Sequence, residues 1–135
     1  MIEKVTLQMS ENGKFRTENG VGCDAMNPRT LMLYAAAQCA AQTALKIMHR
    51  ERITPKGFEI SYSGDLSAET PPSESVYTSF HVVYNVECAS EEDQAKVGRA
   101  LELTHEKYCA MVRMLRRIAP VSREIAVVST QPAKA

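Results

Sequence analysis

Four cysteines, Cys23, Cys39, Cys88 and Cys109, are the residues of this 135-residue chain best suited to chemistry. They stand 16, 49 and 21 residues apart, with no Cys-x-x-Cys pair. A zinc site ordinarily shows at least one close Cys or His pair. The three histidines, His49, His81 and His105, are scattered as well. The spacing therefore speaks for thiol chemistry, or for none, and against a metal centre. For each cysteine the plain alternative is burial as a small hydrophobe. Cys39 lies midway along an apolar helical stretch, with Met32, Ala35, Gln42 and Thr43 on its face. Burial alone would raise its pKa and leave it inert. Cys109 is set differently. His105 precedes it by four residues and Arg113 follows by four, both on its face if one helix runs through, and Lys107 and Arg116 are close. Positive neighbours favour a thiolate. A solvated basic helix face that happens to carry a cysteine accounts for the same residues equally well. Cys23, in Gly22-Cys23-Asp24, reads as an exposed turn residue.

Composition narrows the classes. Lys plus Arg number 16 and Asp plus Glu number 16, so the net charge is zero. That balance argues against an electrostatic nucleic-acid binder and provides no polybasic surface for anionic membranes. The first residues lack a basic start followed by an apolar run. The most apolar window, 31–48, is broken by Gln38, Gln42, Thr43 and Lys46, which makes it a poor membrane span. A cytoplasmic protein with reduced thiols is the expectation. One domain over 1–135, with a polar tail from about 130, fits the length, and 44% apolar residues suffice for a core without disulfides.

The elements that must position the cysteines can be read in turn. Asn12-Gly13 and Asn19-Gly20 are hairpin signals, predicting strands over 3–10, 14–18 and 21–24. Asn27-Pro28 opens a helix to about His49. Gln38, Gln42 and Lys46 make its one polar stripe, and Ala35, Ala36, Ala37, Ala40, Ala41 and Ala44 let neighbours approach closely. A helix apolar almost all round belongs in the middle of a protein. Two strands come next. In one, Phe58, Ile60, Tyr62 and Leu66 alternate with polar residues. In the other, Val76, Phe80, Val82, Tyr84, Val86 and Cys88 share the buried parity and His81 the wet one. Pro71-Pro72-Ser73 connects them. Ser90-Glu91-Glu92-Asp93 begins a second helix. Its apolar face runs through Val97, Ala100, Leu101, Thr104 and Tyr108 and continues at Met111, Val112, Leu115 and Ile118, up to Pro120. A last strand covers 124–129. This order predicts an α+β fold with antiparallel sheets around a long central helix. The helix has little to cover it in so small a monomer, which points to a homodimer.

Asn27-Pro28, then Leu31 to Ala37, then Cys39, resembles the first-cysteine segment of the OsmC/Ohr family, the osmotically inducible and organic hydroperoxide resistance proteins. His105-Glu106-Lys107-Tyr108-Cys109 resembles the second-cysteine segment, often a Lys-Tyr-Cys run, and Ala119-Pro120-Val121-Ser122 with the last strand is also similar. The resemblance spans about 27–128 and implies an intertwined homodimer acting as a thiol peroxidase. Cys39 would attack the O–O bond of an organic hydroperoxide, and Cys109 would condense with the resulting sulfenic acid. A dithiol reductant would close the cycle, with no metal or organic cofactor. The disulfide requires the two Cα atoms to approach within about 7 Å.

Family members support the first cysteine with an arginine from the N-terminal sheet and a glutamate at the helix start. Arg16 is the candidate arginine, with Arg29 as a substitute in altered geometry. No carboxylate stands at the glutamate's usual distance: ten residues before Cys39 is Arg29, nine before is Thr30. Glu18 or Asp24 would have to substitute in space. Ala110 also replaces the proline that often follows the second cysteine, as in a less characterised subgroup. The expectation is a peroxidase acting on alkyl or lipid hydroperoxides, favoured by the apolar wall that includes Met32, with activity weakened by the lost carboxylate. The alternatives are a redox-sensing or small-ligand-binding module without turnover, and an inactive scaffold in which both cysteines are core residues. A thioesterase-like fold accounts for neither cysteine segment.

Overall fold

The computed structural model describes residues 1–68 and 74–130. The Pro71-Pro72-Ser73 connection and the last five residues of the tail lie outside the described residues. The elements are β1 (Ile2–Met9), β2 (Phe15–Thr17), α1 (Pro28–Arg50), β3 (Gly57–Leu66), β4 (Tyr77–Cys88), α2 (Glu91–Leu103), α3 (Ala110–Arg116) and β5 (Val121–Ser129). The strands form one sheet in the order β2-β1-β3-β4-β5. Every pairing is antiparallel except β4 with β5, which is parallel. The reason is the connection: α2 and α3 carry the chain back to the end of the sheet where β4 began, as a parallel neighbour requires. The architecture is the expected α+β one.

Local chemistry explains the ends of the elements. Gly13 adopts φ 77° in the β1–β2 turn, a conformation its missing Cβ permits, and Ser10 N–H donates to Lys14 O at 2.7 Å. The second Asn-Gly pair does not return a strand. Asn19 Oδ1 accepts from Val21 N–H at 3.0 Å, and Thr17 Oγ1 donates to Val21 O at 2.7 Å. These local bonds take groups a ladder would use, and the chain passes instead into a 3₁₀ turn at Cys23–Ala25. The third strand expected over 21–24 is therefore absent. Asn27 caps α1, its Oδ1 accepting from Thr30 N–H at 2.9 Å, with Pro28 in the first turn. Ser90 caps α2 through Asp93 N–H.

α1 lies across one face of the sheet. Ala36, Ala37, Ala40, Ala41 and Ala44 are buried along it, and Gln38 Nε2 donates to Phe15 O at 3.0 Å. Beneath it, Phe58, Ile60 and Tyr62 of β3 and Phe80, Val82, Tyr84 and Val86 of β4 face inward, as their alternation predicted. The start of β4 departs from that pattern. The register shifts at Asp65/Leu66, so that Leu66 pairs with Tyr77 and Asp65 with Ser79. The extra residue reverses the parity: Tyr77 is buried and Val76 is exposed. No helix among the described residues is long and apolar enough to cross a membrane.

The second helical region is not one continuous helix. α2 runs into a π turn at Thr104–Tyr108, and Cys109 is extended (φ −85°, ψ 109°) before α3 begins. The wider turn rotates the segment that leaves it, so Tyr108 and Ile118, expected on the apolar face, are exposed. β5 begins at Val121, three residues before the predicted start.

Candidate active site

Cys39 stands in the middle of α1, half-buried, among the partly covered apolar side chains that include Met32 and Met111. Cys109, 70 residues later, is fully buried. The Cys109 thiol donates to Cys39 Sγ at 3.3 Å. Neither is in a disulfide. A bonded pair needs about 2.05 Å, so a small side-chain movement separates contact from bond.

The break between α2 and α3 produces this meeting. Cys109 N–H donates to Thr104 O at 3.0 Å, closing the wide turn, while Thr104 Oγ1 donates back to Ala100 O at 2.8 Å. Arg116 ties the turn from the far side, its guanidinium donating to His105 O at 2.6 Å and Glu106 O at 3.4 Å. Arg123 pairs with Glu102 and Glu106 beside it.

The electrostatics differ from the sequence expectation. Burial pushes the Cys109 thiol up to about 12, outweighing the Val112 and Met111 N–H groups that pull it down, and the Cys39 sulfur raises it further. The expected positive neighbours do not act on it. His105 is buried, and desolvation, reinforced by Arg116 and Arg123, holds its pKa down at about 4. It is therefore neutral at physiological pH. Arg113 is exposed. A continuous helix would have aligned His105, Cys109 and Arg113, and the π turn undoes that alignment.

Two further residues belong to the site, although strand alternation assigns them only to the core. Tyr62 and Tyr84 are fully buried on the inner faces of β3 and β4, and both hydroxyls are buried without a hydrogen-bond partner. Each phenol feels both sulfurs electrostatically, Cys109 more strongly than Cys39. Their buried parity was legible in the sequence. Their position beneath the thiols was not, because it depends on where α1 and α3 cross the sheet.

The arginines lie elsewhere within the chain. Arg16 is exposed on β2, and its neighbour Phe15 is the residue turned inward, so strand alternation points Arg16 to the opposite face. It lines a surface hollow with Gln8, Ser10 and Asn12. Arg29 sits in the first turn of α1, about 15 Å along the axis from Cys39, and its backbone O accepts from the Tyr77 hydroxyl at 2.7 Å. Glu18 and Asp24 are exposed. No carboxylate or guanidinium bonds to either thiol among the described residues. Cys23 is exposed beside Tyr34. Cys88 is buried, its thiol donating to Ser90 O and Val128 O at 3.4 and 3.5 Å.

The fold and the facing thiols define a small α+β domain with a two-cysteine centre. The family model for OsmC-like protein matches residues 21–124, and the chain belongs to that family. It is 27% identical over 108 residues to protein YhfA of Escherichia coli strain K12, covering 80% of this chain and 78% of that protein. Its fold is similar to an OsmC-like protein from Mycoplasma pneumoniae, with TM-score 0.62 and 12% identity over 95% of this chain and 96% of that one. It is also similar to the organic hydroperoxide resistance protein OhrB of Bacillus subtilis, with TM-score 0.56 and 17% identity over 93% and 97%.

Proposed function

We propose that the protein reduces organic hydroperoxides with Cys39 as nucleophile and Cys109 as resolving thiol. The observation that carries this reading is the 3.3 Å contact between two free thiols 70 residues apart, one half-buried and one fully buried. Cys39 can meet a substrate from outside, while Cys109 is shielded and meets only Cys39. The Cys39 thiolate attacks the distal peroxide oxygen and the O–O bond breaks. An alcohol leaves after taking a proton, and Cys39 becomes a sulfenic acid. Cys109 sulfur then displaces the hydroxyl from Cys39 sulfur, forming the disulfide and water. An external dithiol returns both thiols. The apolar side chains beside Cys39, Met32 among them, suit an alkyl or lipid substituent on the peroxide.

Support from Arg16 or Arg29 requires a second copy that brings a guanidinium to Cys39 from outside the protomer, in keeping with the proposed homodimer. A second reading, a redox sensor or small-ligand module without turnover, is favoured by one observation: no charged side chain bonds to either thiol among the described residues. Peptide mapping of alkylated protein, before and after one equivalent of cumene hydroperoxide, separates the readings. A Cys39–Cys109 disulfide that forms rapidly and is turned over by excess dithiol is the expected result. Stoichiometric oxidation without turnover supports the sensor, and unchanged thiols overturn both redox readings.

A further inference from the structure

Resolution asks the most of the least suitable thiol. Cys109 is buried and holds its proton tightly, yet it must carry negative charge as it attacks the oxidised Cys39. The backbone N–H groups of Met111 and Val112 offer partial support. The floor of the site offers more. Tyr62 pairs with Val82, and Tyr84 with Ile60, across β3 and β4. The two phenols are therefore diagonal neighbours on the face that α1 and α3 cover. Both hydroxyls are buried with no acceptor, an unfavourable arrangement that folded proteins rarely keep. A strand position that needed only an aromatic ring would be served by phenylalanine at lower cost.

We propose that Tyr62 and Tyr84 are the donors that stabilise the developing Cys109 thiolate during disulfide closure. In the reduced protein Cys109 carries its own proton and the hydroxyls stay unpaired. As that proton leaves, each O–H turns toward the sulfur and gains the acceptor it lacks, a contact of the kind that tightens only as charge forms. Both phenols remain protonated, because burial raises each above its ordinary value. They act as donors and not as acids. In the step itself the S–O bond of the Cys39 sulfenic acid breaks, the S–S bond forms, and the Cys109 proton ends on the departing water. This inference rests on the proposed pairing of Cys39 with Cys109 and specifies what drives its second half.

A hydroperoxide-free assay tests it. In Cys23→Ser protein, where the exposed third thiol is gone, 5,5′-dithiobis(2-nitrobenzoate) reacts first at Cys39 and releases one thionitrobenzoate. Attack of Cys109 on the Cys39 mixed disulfide then releases a second. The rate of the second release should fall about tenfold for Tyr62→Phe or Tyr84→Phe and further for the double variant, at an unchanged first release. The pH of half-maximal second release should also move upward. The ionisable groups around the thiol, Cys39 on α1, Arg116 on α3 and Arg123 on β5, are unchanged by these substitutions. A thermal melt checks folding, and phenylalanine should leave it level or higher. A double variant whose second release matches the parent in rate and pH profile overturns the proposal, as does a parent that never releases the second thionitrobenzoate. Slowed second release in a protein whose Cys39 ignores hydroperoxide would uphold the tyrosine role while overturning the peroxidase reading.

Discussion

The main-chain N–H of Cys109 reaches back five residues to the carbonyl of Thr104, at 3.0 Å. That single wide turn ends one helix, starts another, and delivers a buried thiol to Cys39 on α1. It also turns Tyr108 out into solvent, at 59% exposure. It removes the charged helical neighbours that an unbroken helix would have given Cys109. The resolving thiol is consequently governed by desolvation, and several measurements should register this.

Cys109 should resist alkylation in the folded protein. Its value moves from 9.0 to about 12, so at pH 8 the thiolate fraction lies roughly a thousandfold below that of an ordinary thiol. In Cys39→Ser protein, iodoacetamide labelling followed by mass mapping should find Cys109 modified only on unfolding or at strongly alkaline pH. The linkage has a definite sign. The folded state holds this proton more tightly than the unfolded chain, so the stability it contributes is intact below about pH 9 and is lost as pH climbs toward 12. Denaturant midpoints at pH 7.5 and 10.5 should fall in that order, and Cys109→Ala should flatten part of the fall. Tyr62 and Tyr84, whose values are also raised, account for the rest.

His105 should make the fold acid-sensitive. Its folded value of about 4 lies below the ordinary 6.5, so the unfolded chain takes up its proton first as pH falls. Stability from this residue is complete above about pH 6.5 and drains away toward pH 4. His105→Leu removes the titration and the unpartnered Nδ1 at similar volume. Its melting temperature should vary less between pH 7 and pH 4.5 than that of the parent. Equal slopes would show that another group controls the acid limb.

Gly64→Ala should destabilise the protein by about 1–3 kcal/mol. A Cβ at that position would stand 2.4 Å from Tyr77 Cε1, and the Tyr77 ring is held against Phe80 with centroids 4.8 Å apart. Because Tyr77 also bonds to Arg29 O, the first turn of α1 should loosen. Hydrogen exchange would then show faster amides at 29–33, while thiol reactivity at Cys39, nearly three turns away, stays near that of the parent.

Arg52→Gly should stabilise by up to about 1 kcal/mol. Arg52 ends α1 in the left-handed region, φ 60°, with its N–H donating to His49 O at 3.0 Å and Ile53 N–H to Met48 O at 2.9 Å. Glycine adopts that conformation without a Cβ penalty. An upward shift in melting temperature is the expected result, and a downward shift would mean that the arginine side chain holds a contact worth more than the strain.

Much of this protein is determined by local sequence. Asn27-Pro28 and Ser90 mark helix starts because capping groups act within three residues. The inward parity of β3 follows from alternation, which is a property of the strand itself. The similarity of the two cysteine segments to the OsmC/Ohr family is likewise legible in the residues alone. Other features depend on long-range packing that no local pattern encodes. The bulge that buries Tyr77 and exposes Val76 arises from the fit of two strands to each other. The π turn replaces a helix whose spacing looks continuous, because one extra residue per turn leaves the apolar periodicity nearly intact. Arg16, assigned to the thiols by family pattern, is turned away from α1 by its own strand's alternation. The 3.3 Å meeting of Cys39 with Cys109, over two unpaired tyrosine hydroxyls, exists only where α1, α3 and the sheet come together, since residues 70 positions apart share no local rule that sets their distance.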